Sequence, residues 1–345
     1  MLSPQRFRFR FLSGLLFASS VVGSGASHAA ESAEGTVANV KSYLLTTVGK
    51  MKTASADFVK ASGEYSALID ANGGDAKAAY HAEPAKLDAL VVRMQEDYKA
   101  MDSYGYETIE GIVAGVGSLA DYDIYLDAGV PAAEGPDDVA PVVLNLGKVG
   151  KIDREGSLFT HIIEPALWGG NPKWMVDAGT RKLPRPEVLA AAAKDVDKKI
   201  GELQKSGEAW KVSVEDCFGA MVVMTPTLSD YFEDWKESRF AEEKSGKFQA
   251  VSRISDMRGI MSSCAIMYRA VLPQVAAKDK ALAKSVDVGF TSVLSFIDLL
   301  GEREKKGAIK EAEVDELAAQ AKEKTDKLVP QIEQSAAVAG VKIPN

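Results

Sequence analysis

Acidic side chains lie close together in one short stretch of the sequence, where they could bind a cation. Glu107 and Glu110 are three residues apart, and this spacing places two side chains on one face of a helix. Asp121 and Asp123 follow after a turn. Clustered carboxylates repel one another unless a cation neutralises them. If the helix ends near Gly111, both glutamates lie at its negative end, where a metal ion would compensate their charge. Solvated surface acids are the alternative, because a chain with 49 acidic residues contains several such pairs by chance.

A second pattern with chemical potential is H-x-x-E, formed by His161 and Glu164. On a helix this spacing places an imidazole and a carboxylate on one face, as in di-iron helical bundles. Pro165 opposes that arrangement, because the residue before a proline avoids the α conformation. Glu164 is then an N-cap with Pro165 at the first helical position. No H-E-x-x-H is present, which excludes zinc peptidase chemistry of that type.

Two later stretches combine charge with aromatic residues. Residues 228–240 contain several acids, four aromatic residues and Arg239, and they follow Pro226, which should kink or end a helix. Arg253 lies on the next predicted helix with two further arginines. A salt-bridged helix exterior and a functional cleft explain both stretches equally well. In a cleft, Arg239 and Arg253 would bind the carboxylates of an anionic ligand.

The N-terminus is typical of an export signal. Arginines precede an apolar stretch over residues 11–22, and small residues lead to a cleavage site of small-x-small form at Ala29 or Ala30. The apolar stretch is shorter than the roughly 20 residues that a membrane span needs. We therefore predict that residues 1–30 are a signal peptide and that the mature protein is soluble in the periplasm.

Composition bounds the remaining function classes. The 345 residues are 46% hydrophobic, which excludes a disordered chain. The 49 acidic and 41 basic residues give a net charge of -8, so nucleic acid is not an expected partner. Cys217 and Cys264 are too few for a disulfide scaffold. They either pair with each other or stay buried as free thiols.

Hydrophobic periodicity predicts an all-α fold that positions these residues on helices. Residues 111–171 lose the periodicity and are richer in Gly, Pro and Asp, so they form a long connection of the kind that carries function or separates domains. We predict one helical bundle at about 33–150 and a second at about 151–340. The predicted helices cover residues 37–71, 84–110, 186–203, 213–240, 248–275, 280–300 and 310–338.

Several of these motifs, in this order, resemble the imelysin-like proteins, also labelled peptidase M75. The resemblance covers nearly all of residues 31–345, and it points to the branch of the periplasmic iron-uptake component EfeO and its alginate-binding relatives. It implies two packed helical bundles with a cleft between them, metal binding, and iron delivery. The segments that carry it run from Glu107 to Gly115, from Ser118 to Asp123, from His161 to Gly169 and from Tyr231 to Phe240.

The resemblance also implies particular site residues. Two positions depart from the family pattern: Phe159 stands where many members have Gly, and Pro165 follows the H-x-x-E glutamate. The acidic metal-binding cluster of the family corresponds to Glu107, Glu110 and Asp123. Its acid from the second bundle corresponds to Glu233, and its H-x-x-E pair corresponds to His161 and Glu164.

We therefore expect a periplasmic, non-enzymatic component of bacterial iron uptake that binds a divalent metal ion. Iron is the expected metal, with zinc, manganese and calcium as alternatives for such ligands. The resemblance implies an inner-membrane iron permease and a periplasmic peroxidase as partners. The alternatives are a protein that binds an acidic polysaccharide and a metallopeptidase, which needs a metal-bound water and a general base.

Overall fold

A computed structural model describes residues 26–135, 139–242 and 245–343 of the chain, with side chains from residue 36 onward. Most of the predicted signal peptide, residues 1–25, lies outside the described residues. Within the described ranges, no helix is both long enough and apolar enough to cross a membrane.

The predicted all-α class is confirmed. Among the described residues, the β-strands form two antiparallel hairpins, β1 (Val143–Asn145) with β2 (Lys151–Asp153) and β3 (Met175–Asp177) with β4 (Lys182–Pro184). Two π-helices, Ile124–Ala128 and Leu158–Ile163, interrupt the regular pattern. The α-helices are α1 (Ala26–Asp70), α2 (Ala76–Ala82), α3 (Pro84–Met101), α4 (Glu110–Val113), α5 (Ala120–Asp123), α6 (Glu164–Trp168), α7 (Pro186–Ala209), α8 (Val214–Met224), α9 (Tyr231–Arg239), α10 (Arg253–Ala276), α11 (Lys280–Lys305) and α12 (Glu311–Ala339).

Helix α1 shows how the sequence specifies these elements. Apolar residues recur every three or four positions and are buried along one face, as Val40, Leu44 and Val48 illustrate. The helix ends before Gly73 and Gly74, which adopt φ values of 73° and 75°. Residues with a Cβ rarely take this left-handed conformation, so the two glycines end the helix.

The helices form two groups around one continuous core. Helix α1 packs most extensively on α7 and α3, whereas α10 packs on α11 and α8, and α12 closes the second group. Helix α7 follows the predicted division near residue 150, yet it packs on α1 of the first group. Two polar contacts accompany this packing: Lys41 Nζ donates to the carbonyl oxygen of Trp210, and Lys52 pairs with Asp197 on α7.

The predicted irregular segment lies between the two groups and carries the short helices. Helix α10 packs closely on α4 and on the 3₁₀ turn Tyr106–Thr108. Gly259 of α10 permits this approach, since a Cβ there would lie 2.3 Å from the carbonyl oxygen of Glu107. Gly111 of α4 has the same role, because its Cβ would lie 2.2 Å from Ser263 Oγ. The close crossing brings polar residues of both groups together.

Candidate metal centre

The two glutamates of the predicted cluster do not lie at the end of a long helix. Helix α3 stops at Met101, nine residues before the end predicted for it. The chain turns at Gly105, where a Cβ would collide with the Met101 carbonyl oxygen at 2.4 Å. Glu107 then lies in a 3₁₀ turn and Glu110 in the first turn of α4, the positive end of a helix rather than the negative one.

Seven acidic side chains of the described residues are buried, and each is at most 9% exposed. Several of them lie in one region, because each raises the pKa of others through charge repulsion. We call this set the acid cluster; its members are Asp102, Glu107, Glu110, Asp123, Asp127, Glu164 and Asp256. So much buried negative charge is costly unless protons or cations neutralise it.

Three members of the acid cluster converge on one point. Asp102, Glu107 and Asp127 each offer a carboxylate oxygen, and these three atoms lie within 4.8 Å of one another. Among the described residues, Asp102 Oδ1 and Glu107 Oε2 have no hydrogen-bond partner, and neither has Glu110 Oε2 nearby in the cluster. Buried oxygens without donors are suited to a cation. We call Asp102, Glu107 and Asp127 the triad.

Hydroxyl groups fix the carboxylates around the triad. Tyr106 donates a hydrogen bond of 2.6 Å to Asp123 Oδ1, and Tyr231 donates one of 2.7 Å to Glu110 Oε1. Thr160 donates to Asp127 Oδ1. Asp127 and Thr160 lie on the two π-helices, which contact each other. Such π-helical turns are frequent at functional sites. Here they orient an acid that belongs to the triad.

Arg253 supplies positive charge to the acid cluster from α10. Its guanidinium lies 2.9 Å from Asp256 and 3.9 Å from Glu107. The rings of Tyr231 and Phe248 cover it, at 4.2 Å and 4.1 Å from their centroids. The side chain is 7% exposed. The predicted role, in which Arg253 binds an external anion in an open cleft, does not fit this burial.

Burial and mutual repulsion raise the pKa values of several members of the acid cluster. Burial raises the pKa of Glu110 to about 8, with Asp127 as the next cause, and it raises the pKa of Asp256 to about 7 although Arg253 opposes the change. The pKa of Asp102 and that of Glu107 rise well above the ordinary range for the same reasons. Without a cation, the cluster therefore retains protons at neutral pH.

The H-x-x-E residues do not act together in the structure. Glu164 takes the α conformation in spite of Pro165, at φ -60° and ψ -53°, because the preceding π-helix continues into α6. Its carboxylate accepts hydrogen bonds from the backbone N–H of Phe248 at 2.6 Å and of Ala250 at 2.8 Å. The first expectation, that Glu164 avoids the α region, is wrong. Its side chain is bound to backbone rather than left free for a metal.

His161 points elsewhere. Its Nδ1 lies 2.9 Å from Ser157 Oγ, and its Nε2 is buried without a hydrogen-bond partner among the described residues. Burial, with Lys247 nearby, lowers the pKa of His161 to about 3. Gly156 makes room for the ring, since a Cβ there would lie 2.4 Å from Cγ of the imidazole. The imidazole is thus neutral. Ser157, its hydrogen-bond partner, also donates to the backbone carbonyl oxygen of Asp127, so His161 lies near the triad without offering it a ligand atom.

Two further predicted residues lie outside the acid cluster. Glu233 is exposed on α9, and the structure does not bring it into the buried acid cluster. The second group contributes Asp256 to this cluster, which α10 buries beside Arg253. Arg239 lies at the C-terminal end of α9 and is half-buried; its Nε has no hydrogen-bond partner among the described residues.

Sequence reasoning found Glu107, Glu110 and Asp123 but missed other members of the acid cluster. Asp102 immediately follows α3, and Asp127 is four residues beyond Asp123. Both are single acids in stretches without a motif. The spacing of Asp127 from Asp123 was the one available signal, because i,i+4 residues share a helix face. The two cysteines, Cys217 and Cys264, are buried and free.

Comparison with known families decides the affiliation of the chain. The family model described as Imelysin, of the M75 peptidases, matches residues 158–334, just over half of the chain. The chain belongs to the imelysin family. The match begins at the π-helix with Thr160 and His161 and extends into α12, so it includes Arg253 and Asp256, whereas the triad precedes it. A search of curated proteins found no match.

Proposed function

We propose that this imelysin-family protein is a periplasmic component of bacterial iron uptake that binds a divalent cation, with iron as its cargo, in the triad. The single observation that carries the proposal is the convergence of three buried carboxylates whose oxygens lie within 4.8 Å of one another. Two of these residues have an oxygen without a hydrogen-bond donor, and a cation would satisfy both.

The chemistry of the donor atoms supports iron, manganese or calcium over zinc. All three residues of the triad offer carboxylate oxygen, and hard cations prefer oxygen ligands. Structural zinc sites favour thiolate and imidazole ligands. No histidine nitrogen belongs to the converging set among the described residues, and the buried Cys264 thiol has a pKa raised to about 12, which opposes thiolate ligation.

A binding role fits the site better than peptide hydrolysis does. A metallopeptidase needs a metal with an open position that a polypeptide substrate can reach. The residues of the triad are at most 7% exposed, and aromatic rings cover the adjacent Arg253. A hydrated ion can enter such a site, but a polypeptide cannot. The acidic-polysaccharide alternative also loses support, because Arg253 is engaged with Asp256.

The proposal is tested by metal content and calorimetry. Protein purified from the periplasm under conditions that preserve bound metal should contain iron in elemental analysis. Titration of the metal-free protein with Fe(II), Mn(II), Zn(II) and Ca(II) should show one-site binding. Because the negative charge is lost and a neutral amide oxygen is a weaker ligand than a carboxylate, Asp102→Asn and Asp127→Asn should each weaken Mn(II) binding by about tenfold or more.

Glu233→Gln is the matched control, since it removes one acidic charge at an exposed position of the same protein. It should leave the affinity within about twofold, because solvent screens exposed charges. Equal affinity in Asp102→Asn, Asp127→Asn and the wild type would refute the triad as the site. Absence of any bound cation would refute the function itself.

A further inference from the structure

A surface pocket of about 230 Å³ includes in its lining a residue that contacts the triad. Thr160 and His161 line one side of it, and Gly246 and Lys247 line another. Thr160 also donates its hydroxyl hydrogen bond to Asp127, a member of the triad. One residue therefore lines the pocket and contacts the triad, so a path from this pocket to the triad would pass Thr160.

Gly246 and Lys247 of the pocket wall belong to the loop that precedes α10, residues 245–252. This loop is attached to the other group at three points. The carboxylate of Glu164 accepts the N–H groups of Phe248 and Ala250. Lys247 forms a 3.3 Å ion pair with Glu134 on the far side of the pocket. The Gly246 backbone packs against Gly170, where a Cβ on Gly170 would lie 2.3 Å from the Gly246 carbonyl oxygen.

The loop also holds Arg253 in place. Phe248 has a φ of 55°, a left-handed conformation that is costly for a residue with a bulky side chain. In this conformation its ring lies 4.1 Å from the Arg253 guanidinium, and its N–H faces Glu164. The hydrogen bonds to Glu164 compensate the unfavourable backbone conformation. Their loss should let the loop move away from Arg253 and from the pocket.

We infer that the 245–252 loop is the movable wall of the path by which a hydrated divalent cation reaches the triad, and that Glu164 is the positioning residue that holds this wall closed. The inference rests on the proposed cation binding and gives the H-x-x-E glutamate a role other than ligand. Its carboxylate is 2.6 Å and 2.8 Å from two backbone nitrogens, so both oxygens are already in use.

Loss of a residue that holds the loop closed and loss of a metal ligand have different kinetic consequences. Loss of a ligand raises the release rate and weakens binding. Loss of a residue that holds the loop closed raises the association rate and the release rate by the same factor, because the free-energy difference between the bound and free states is unchanged. Stopped-flow measurements with Mn(II), using a fluorescent indicator for association and excess chelator for release, separate the two roles.

Glu164→Gln keeps one acceptor oxygen but places an amide opposite the second N–H. Both rate constants should rise by about tenfold, with Kd within about threefold of the wild type. Lys247→Ala, which removes the ion pair across the pocket, should raise both rates by about two- to threefold. Lys236→Ala is the matched control, because it removes a similar ion pair, with Asp315, on α9 and should change neither rate. Hydrogen exchange at the Phe248 and Ala250 amides should be faster in Glu164→Gln.

Two results would overturn the inference that the 245–252 loop controls access to the triad. If Glu164→Gln weakens Mn(II) binding through release alone, with unchanged association, Glu164 is a ligand. If neither rate changes while amide exchange at Phe248 accelerates, the loop opens without controlling access. In both cases the wild type still binds Mn(II), so the proposed function survives. A wild-type protein that binds no cation would refute both the proposed function and the inference about the loop.

Discussion

The acid cluster gives a sharp prediction for the metal-free protein, in which Glu110→Gln should increase stability at alkaline pH. Burial raises the pKa of Glu110 from its ordinary value of 4.5 to about 8. Gln has nearly the same shape and no charge, and its carbonyl can still accept the hydrogen bond that Tyr231 now donates to Glu110 Oε1. The substitution therefore removes the cost of ionisation with little change in packing.

The sign follows from proton binding. Between pH 4.5 and 8 the folded protein holds a proton on Glu110 that the unfolded chain has released, so the free energy of unfolding falls as pH rises through this window. Below pH 4.5 both states are protonated and the cost disappears. Each pKa unit corresponds to about 1.4 kcal/mol, so a group that moves from 4.5 to about 8 costs up to about 5 kcal/mol above pH 8. Since a neighbouring carboxyl can take up a proton instead, we expect Glu110→Gln to gain about 2 to 5 kcal/mol.

Differential scanning calorimetry of chelator-treated protein between pH 4 and 9 measures the effect. At pH 8.5 the variant should melt several degrees above the wild type, since about 1 kcal/mol shifts Tm by roughly 2 °C or somewhat less in a chain longer than 250 residues. At pH 4 the two melting temperatures should coincide. Saturation with Mn(II) at one hundred times Kd should stabilise the wild type by about 2.7 kcal/mol and the variant by less.

Two results would refute the reasoning about Glu110. One is a metal-free variant that melts below the wild type at pH 8.5, which would mean that the carboxylate is stabilising. The other is a difference that does not change between pH 4 and 8.5, which would mean that ionisation has no part in it. Glu233→Gln controls for net charge, because Glu233 is exposed and should leave the pH profile unchanged.

Other substitutions test the crossing of α10 over the site. Arg253→Gln should lower the free energy of unfolding by about 3 to 5 kcal/mol in chemical denaturation, because it leaves Asp256 buried without its counter-charge; a loss below about 1 kcal/mol would contradict this. Gly259→Ala should weaken Mn(II) binding in calorimetry and lower Tm, because its Cβ would overlap the Glu107 carbonyl oxygen at 2.3 Å. Gly219→Ala is the control, because Gly219 lies on α8 and a Cβ there would have no atom within 4 Å. This substitution should stabilise the protein by about 0.5–1 kcal/mol.

The long helices were predictable because their apolar residues recur with helical period. The predicted spans at 186–203, 280–300 and 310–338 correspond closely to α7, α11 and α12. The predicted helix over 213–240 divides at a 3₁₀ turn, Thr225–Ser229, as its proline indicated. The pairing of helices was less accessible. That α7 packs on α1 depends on contacts such as Lys52 with Asp197, which join residues far apart in sequence.

The site was only half predictable, and the reason is physical. Glu107 and Glu110 were found through a spacing rule, but they meet in space through a 3₁₀ turn and a new helix start rather than along one helix. Asp102 and Asp127 reach the same point by irregular backbone, for which no period exists. A spacing rule applies within one regular element, so it cannot show which turns converge.

If the triad binds a cation as proposed, the position of the acid cluster makes its affinity depend on packing between the two groups of helices. The triad comes entirely from residues 102–127, whereas the compensating charge of Arg253 comes from α10. Gly259 sets how closely α10 approaches Glu107, so the same contact fixes both the ligand and its counter-charge. A shift of α10 away from the turn would reduce the field of Arg253 at Glu107 and move a ligand of the triad at once. Cation affinity and the packing between the two groups of helices would therefore be coupled through one backbone contact.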